Sequence, residues 1–309
     1  MKFFFLAVAS LFFAAQIALA NEEYADNTLG DPGAKIMLAR AIEGDGDAIL
    51  KVAVAYAAGD KGFPKNLNKA VLWWKKGADM GDAHSQNYLA SAYLKGEGVE
   101  KNAERAIELW RKAAKLELPD AQYNLGVCAA RGIGGERNLR EAAKWWIMAA
   151  ENSHAKAQYS LAAMYMNGAG VDKSAERGIF WLEKAADLGN TEAQTVLAGY
   201  LFNGVGVAAD KKRAALLWEA AAKKGVAFAA KNLAKMYLYG SGVEMNHSLF
   251  AKWTKVAADL GDVESMYNIS IAYKNGDGVE KSPELAKLYM EKFNASGGWQ
   301  NSQSGIAPR

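Results

Sequence analysis

A pair of glycines returns in this chain at a fixed step. Gly96/Gly98, Gly132/Gly134, Gly168/Gly170, Gly204/Gly206, Gly240/Gly242 and Gly276/Gly278 succeed one another every 36 residues, and Gly59/Gly62 is an earlier copy with one residue inserted. A period of this length marks a stack of supersecondary units, each too small to bury its apolar face alone. Seven units then cover about residues 46–297.

Upstream of each pair lies a first helix, A, with an apolar stripe at i, i+4 and i+8. Its middle column is Val52, Leu89, Leu125, Leu161, Leu197, Leu233 and Ile269. Four residues earlier stand Ala48, Ser85, Ala121, Ala157, Ala193, Ala229 and Ser265. Four later stand Tyr56, Tyr93, Ala129, Tyr165, Leu201, Tyr237 and Tyr273. Small residues at one end and large ones at the other let adjacent helices approach closely and interlock. The first glycine falls where helix A must stop, a position that favours left-handed backbone. No strand pattern precedes it, which argues against a phosphate loop.

Asn66, Asn102, Asn138, Ser174, Asp210, Asn246 and Ser282 follow, all residue types that cap a helix start. They fix the beginning of a second helix, B. Helix B carries two aromatic-rich columns: Trp73, Leu109, Trp145, Trp181, Leu217, Trp253, Tyr289, and beside them Trp74, Trp110, Trp146, Leu182, Trp218, Thr254, Met290. Eight of the nine tryptophans occupy these columns, which places them in the core rather than on a sugar-stacking platform. Small pairs such as Ala113-Ala114 and Ala149-Ala150 come next.

The run Ala121-Gln122-Tyr123-Asn124-Leu125-Gly126, the Gly-x-Gly-Val turn, the alanine- and tryptophan-bearing helix, Lys-Ala-Ala and a closing glycine resemble the SEL-one-like repeat, a relative of the tetratricopeptide repeat. The resemblance covers about four-fifths of the chain. It implies an all-α, right-handed α-solenoid of about seven 36-residue helix-turn-helix repeats. It also implies an adaptor or scaffold with a protein or peptide partner. Unit 3 departs from the pattern with Ala129 for tyrosine and Gly135 for valine, and unit 7 has Phe293-Asn294 for the alanine pair.

Outside the array, Met1-Lys2, the apolar run Phe3 to Ala20 and the small-x-small end Ala18-Leu19-Ala20 form a secretory signal over residues 1–20. The same run is about the minimum for a membrane span, but polar Asn21-Glu22-Glu23 follow at once, and no later segment is apolar enough to cross a bilayer. Residues 21–45 form an N-terminal segment in which Ala34 to Ile42 reads as a lone capping helix. Residues 298–309, with Trp299, read as a flexible tail. The formal charge of +3 becomes +2 without Lys2, which gives no electrostatic case for nucleic acid. Cys128 is the only cysteine, so packing rather than an internal disulfide holds the array together.

The chemistry-bearing residues do not converge. His84, His154 and His247 occupy different columns, and Asp45-Gly46-Asp47 lacks the remaining ligands of a calcium loop. No metal or cofactor is expected. Ser153-His154-Ala155-Lys156 matches the Ser-x-x-Lys element of β-lactam-acting enzymes, and cysteine-rich proteins of the resembled family act on β-lactams. Here the Lys-Thr-Gly and Ser-Asp-Asn companions and the cysteine pairs are missing.

Function is therefore expected on the helix A face opposite the core stripe. The i+2 column gives Tyr123, Tyr159, Lys231 and Tyr267, the i+6 column gives Lys235, and the i+10 column gives Arg131, Asn167, Asn203 and Tyr239. Aromatic area with amide and cationic donors suits recognition of a protein or peptide. The expectation is an exported, periplasmic or secreted, monomeric and non-catalytic scaffold. An envelope-glycan module is the alternative, and a β-lactam-acting hydrolase stands behind both. N-terminal sequencing of protein from an envelope fraction is expected to read from Asn21; retention of Met1 to Ala20 refutes the address.

Overall fold

A computed structural model describes residues 24–298. The expected signal at 1–20 and all of the tail beyond Gly298, Trp299 included, lie outside the described residues. The described residues form fifteen helices and no strand. They are α1 (Pro32–Ile42), α2 (Gly46–Ala58), α3 (Leu67–Asp79), α4 (Ala83–Lys95), α5 (Ala103–Lys115), α6 (Pro119–Arg131), α7 (Leu139–Glu151), α8 (Ala155–Asn167), α9 (Ala175–Asp187), α10 (Thr191–Asn203), α11 (Lys211–Lys223), α12 (Ala227–Tyr239), α13 (His247–Asp259), α14 (Val263–Asn275) and α15 (Pro283–Ala295). From α2 onward even-numbered helices are helix A of a repeat and odd-numbered ones helix B. This is an α-solenoid built in two compact units, one ending at Asn152 and the other beginning at Ser153. Within each unit, every helix packs on its neighbour in the chain.

The fourteen helices of the repeats have one length, 13 residues, because a glycine ends each helix A and a polar side chain caps each helix B. Gly96 ends α4 at φ 77°, ψ 33° and sends its N–H to the Ala92 carbonyl. Two residues on, a Cβ at Gly98 would overlap the Leu67 carbonyl oxygen, so this second glycine admits the start of the preceding helix B. The chain then runs to Asn102, whose side chain accepts the Arg105 N–H at 2.8 Å. All seven expected caps at the start of helix B accept in this way. The expected N-terminal capping helix begins two residues before Ala34, because Asp31 caps it and Pro32 suits its first position.

The three-column stripe forms the core. Val52, Leu161, Leu197 and Ile269 are 0% exposed, and the small column beneath them is buried throughout. Each such side chain contributes about 1.5–3 kcal/mol. The tryptophan columns divide. Trp73, Trp74, Trp110, Trp218 and Trp253 are buried, whereas Trp145, Trp146 and Trp181 are only half-buried. The expectation that all eight are core residues is corrected here. Trp146 lies over Gly126, where a Cβ would overlap its indole, and its N–H donates to the Tyr123 carbonyl at 3.1 Å. Trp181 packs edge-on against exposed Phe180, with ring centroids 5.0 Å apart.

A charged knot seals the first unit. Asp26, 8% exposed, accepts the Tyr56 hydroxyl at 2.6 Å and pairs with Lys69 at 2.6 Å. Burial opposes ionisation of Asp26, but hydrogen bonds from Lys69, Thr28 and Tyr56 outweigh it and hold the carboxyl far below the usual range. Such a depressed group stabilises the fold above the unfolded carboxyl's value of about 4, and that contribution drains away as pH falls below it. Asp26→Asn is expected to cost about 2 kcal/mol at pH 7, and the gap to wild type should narrow steadily below pH ~4. Urea titrations at several pH values check this; a gap independent of pH refutes the knot.

Candidate functional site

Within a unit, the face of helix A opposite its core stripe meets groups of the adjacent helix A, as the bond from Asn124 to Asn87 and the pair of Lys235 with Glu264 show. The i+2 column feels this most. Asn87 is buried, while Leu50, Tyr123, Tyr159, Thr195, Lys231 and Tyr267 are half-buried. On α4, Asn87 accepts the Trp110 indole N–H at 2.8 Å and the Asn124 amide of α6 at 3.1 Å. The Tyr123 ring stacks on Trp146, centroids 6.3 Å apart, and Tyr267 tilts against Phe293 at 5.4 Å. Tyr159 packs beside the apolar core of the second unit.

The two lysines are committed as well. Lys231 reaches from α12 to Asp262 at 2.7 Å and Glu264 at 3.4 Å, and Lys235 reaches Glu264 at 3.0 Å. Burial disfavours the Lys231 ammonium, but its bonds and attraction to Asp262 and Glu264 prevail and raise its pKa. Lys231 and Lys235 thus pair with the following repeat, Tyr123 and Tyr267 lie against helix B of their own repeat, and Tyr159 is half-buried, so the expectation that all five project freely is corrected; of the five only Lys235 is exposed. The i+10 column stands differently. Lys95 and Arg131 in the first unit are exposed, as are Asn167, Asn203, Tyr239 and Asn275 in the second. Among the described residues Tyr239, 73% exposed, is the most exposed of the large hydrophobic residues. Asn167 and Asn203 turn their amides to their own helices, onto the Ala163 and Gly199 carbonyls at 2.9 Å.

The remaining reactive types have structural posts. Asp45 caps α2, and His154 caps α8 by accepting the Ala157 N–H at 3.1 Å. Ser153 lies in the preceding turn at φ 59° with exposed Lys156 beyond it. Burial pushes the Cys128 thiol up to about 11, which disfavours the nucleophilic thiolate. Among the described residues no three His, Cys, Asp or Glu side chains gather as metal ligands.

One concavity lies inside the first unit. Between α5, α6 and α7 the chain leaves a cavity of about 330 Å³. Leu125, Cys128, Ala129 and Trp145 form its apolar floor, and Glu104, Glu108, Glu136 and Glu141 stand around it with Arg111. It coincides with the two departures of unit 3, Ala129 and Gly135. That signal was visible in the sequence, but only the packing turned it into a space.

If Lys231 is a strut, Lys231→Glu sets like charges against Asp262 and Glu264 and is expected to cost about 2–4 kcal/mol. Tyr239→Ala is expected to stay within about 0.5 kcal/mol of wild type. Urea midpoints measure both, and equal stability of the two variants overturns the assignment.

A model of the Sel1 repeat matches seven consecutive segments, 46–82, 83–118, 119–154, 155–190, 191–226, 227–262 and 263–297. Among solved structures, a Sel1 repeat protein from Oxalobacter formigenes is similar at 31% identity and TM-score 0.62, over 79% of this chain and 96% of that one. The protein c5321, a protective antigen present in uropathogenic Escherichia coli strains and displaying an SLR fold, is similar at 24% identity and TM-score 0.73. That likeness, over 93% of this chain, concerns the fold; the chain spans 65% of the antigen's length. No curated protein matches. Seven matched repeats, each with its glycine stop and its polar cap, make this chain a member of the Sel1 repeat family, whose proteins are in general protein-interaction scaffolds.

Proposed function

We propose that this protein is an exported, non-catalytic scaffold that binds a protein or peptide along the exposed edge of its A helices, in envelope regulation or assembly. The supporting observation is the i+10 column. Lys95, Arg131, Asn167, Asn203, Tyr239 and Asn275 occupy one position of successive A helices and are all exposed. Within each unit, an exposed position repeated on successive rigid helices suits an extended chain, whose own groups recur at regular intervals. A row of sugar-stacking aromatics finds less support, because Tyr123 and Tyr267 already lie against Trp146 and Phe293. The export half of the reading rests on the composition of residues 1–20.

Affinity capture from an envelope extract tests the binding half. Arg131→Ala with Tyr239→Ala is expected to weaken capture of a reproducible partner more than tenfold, with helicity and melting unchanged, since two anchors of about 1 kcal/mol each suffice. Lys144→Ala with Lys287→Ala, exposed on helices B, should leave capture intact. Capture abolished by the helix B pair and spared by the helix A pair refutes the site.

A further inference from the structure

Repeats 1, 2 and 4 share a device that repeat 3 lacks, and repeat 3 departs from them at three positions that line one cavity. In repeats 1, 2 and 4 the last stripe residue is Tyr56, Tyr93 or Tyr165, and the third residue of the following helix B lays a cation over its ring. Lys69 stands 5.4 Å from the Tyr56 centroid, Arg105 5.4 Å from that of Tyr93, and Arg177 5.6 Å from that of Tyr165. Repeat 3 has Ala129 in place of the ring and Glu141 in place of the cation. Gly135 replaces the valine that stands at 99, 171, 207, 243 and 279, and a Cβ built on it meets nothing within 4 Å. All three positions line the cavity of about 330 Å³, which lies within the range of about 300–1,000 Å³ usual for ligand sites.

The loss is not a plain truncation, because the charge at the rim is inverted. Glu104, Glu108, Glu136 and Glu141 face the space against the single guanidinium of Arg111. None of the four carboxylates has an ion-pair partner among the described residues. In repeats 1, 2 and 4 the chain supplies both ring and cation. Here it supplies an apolar floor and an anionic rim, which complements a guest carrying both. A cation held over an aromatic face and close to carboxylates is favoured at each contact.

We propose that the repeat 3 cavity receives an aromatic side chain flanked by lysine or arginine on a partner peptide, the ring taking the place that tyrosine holds in repeats 1, 2 and 4. This rests on the scaffold reading above and adds a specificity pocket to it.

The test is calorimetric titration of the full mature chain with acetyl-Lys-Tyr-Lys-amide, against acetyl-Glu-Tyr-Glu-amide and acetyl-Lys-Ala-Lys-amide. The first peptide is expected to bind at least tenfold more tightly than either control. Ala129→Tyr, which restores the repeat's own ring, should weaken it at least tenfold while the melting temperature holds or rises. Should that variant melt lower, Gly135→Val and Glu141→Arg decide in its place, each expected to weaken the same peptide at least threefold. Equal affinity for the three peptides, no binding up to millimolar concentration, or filled variants that bind like wild type overturn the pocket. The two readings separate cleanly: capture that survives a failed titration leaves the scaffold without this pocket, and a pocket that binds the peptide while capture fails removes the scaffold's wider surface.

Discussion

In every repeat the N–H of the residue that caps helix B returns to the carbonyl of the last stripe residue of helix A. The bond runs from Asn66 to Tyr56, Asn102 to Tyr93, Asn138 to Ala129, Ser174 to Tyr165, Asp210 to Leu201, Asn246 to Tyr237 and Ser282 to Tyr273, always at 2.8–3.0 Å. It closes the glycine turn and fixes where helix B begins relative to where helix A ends. With both helix ends set by caps, a 13-residue helix presents the same columns each time, and core positions recur without drift. The bond is indifferent to side chain, which is why repeat 3 keeps the turn although alanine stands where tyrosine is usual.

Cohesion between repeats follows from that register. Ser85 and the alanines of the same column let the preceding helix B approach closely, and Gly77 lies so near Ser85 that a Cβ would overlap its hydroxyl. Beside them run buried glutamines. The Gln194 amide donates to the Ala186 carbonyl at 3.1 Å, and Gln86 and Gln122 reach Ala78 and Ala114 at 3.5 Å. Each ties helix A to an end carbonyl of the preceding helix B, a group that the helix itself leaves unbonded. At 230 and 266 the column turns to Ala230 and Met266, so apolar packing alone serves there.

The caps and the stripe were legible because they depend on contacts within about ten residues. The first glycine, the Asn/Ser/Asp cap and the three-column stripe stand in the structure as the 36-residue step places them. The outer face was misread because a single helix wheel has no neighbours, whereas a stacked helix has one on either side. Lys231 looks free on the wheel and is a strut in the stack. A second signal was available. Pairs 30 residues apart recur as Asp26 with Tyr56, Glu183 with Arg213, His247 with Asp277 and Asp259 with Tyr289. A search for complementary polar residues at that offset would have found these links between consecutive units, since the offset is the repeat less about one and a half helical turns. The half-burial of Trp145 was not legible in its own helix, because its neighbours in the cavity lining, Ala129 and Gly135, lie in another helix and a turn.

That cavity bears on how an array of this kind acquires specificity. Most positions of a repeat are spent on its own stripe and on the two neighbours it joins, and a substitution there weakens the stack. Ala129, Gly135 and Glu141 border a space between helix B of repeat 2 and the two helices of repeat 3, while the returning bond from Asn138 to the Ala129 carbonyl stays at 2.8 Å. Cohesion in a linear array is a sum of local terms, so a cavity at this one junction leaves the other junctions at full strength. Repeat 7 also leaves a concavity at the corresponding place, but there Tyr273, Val279 and Leu285 line it. Repeat 3 thus differs from repeat 7 in the chemistry of the lining, which has no tyrosine, no valine and a carboxylate at Glu141.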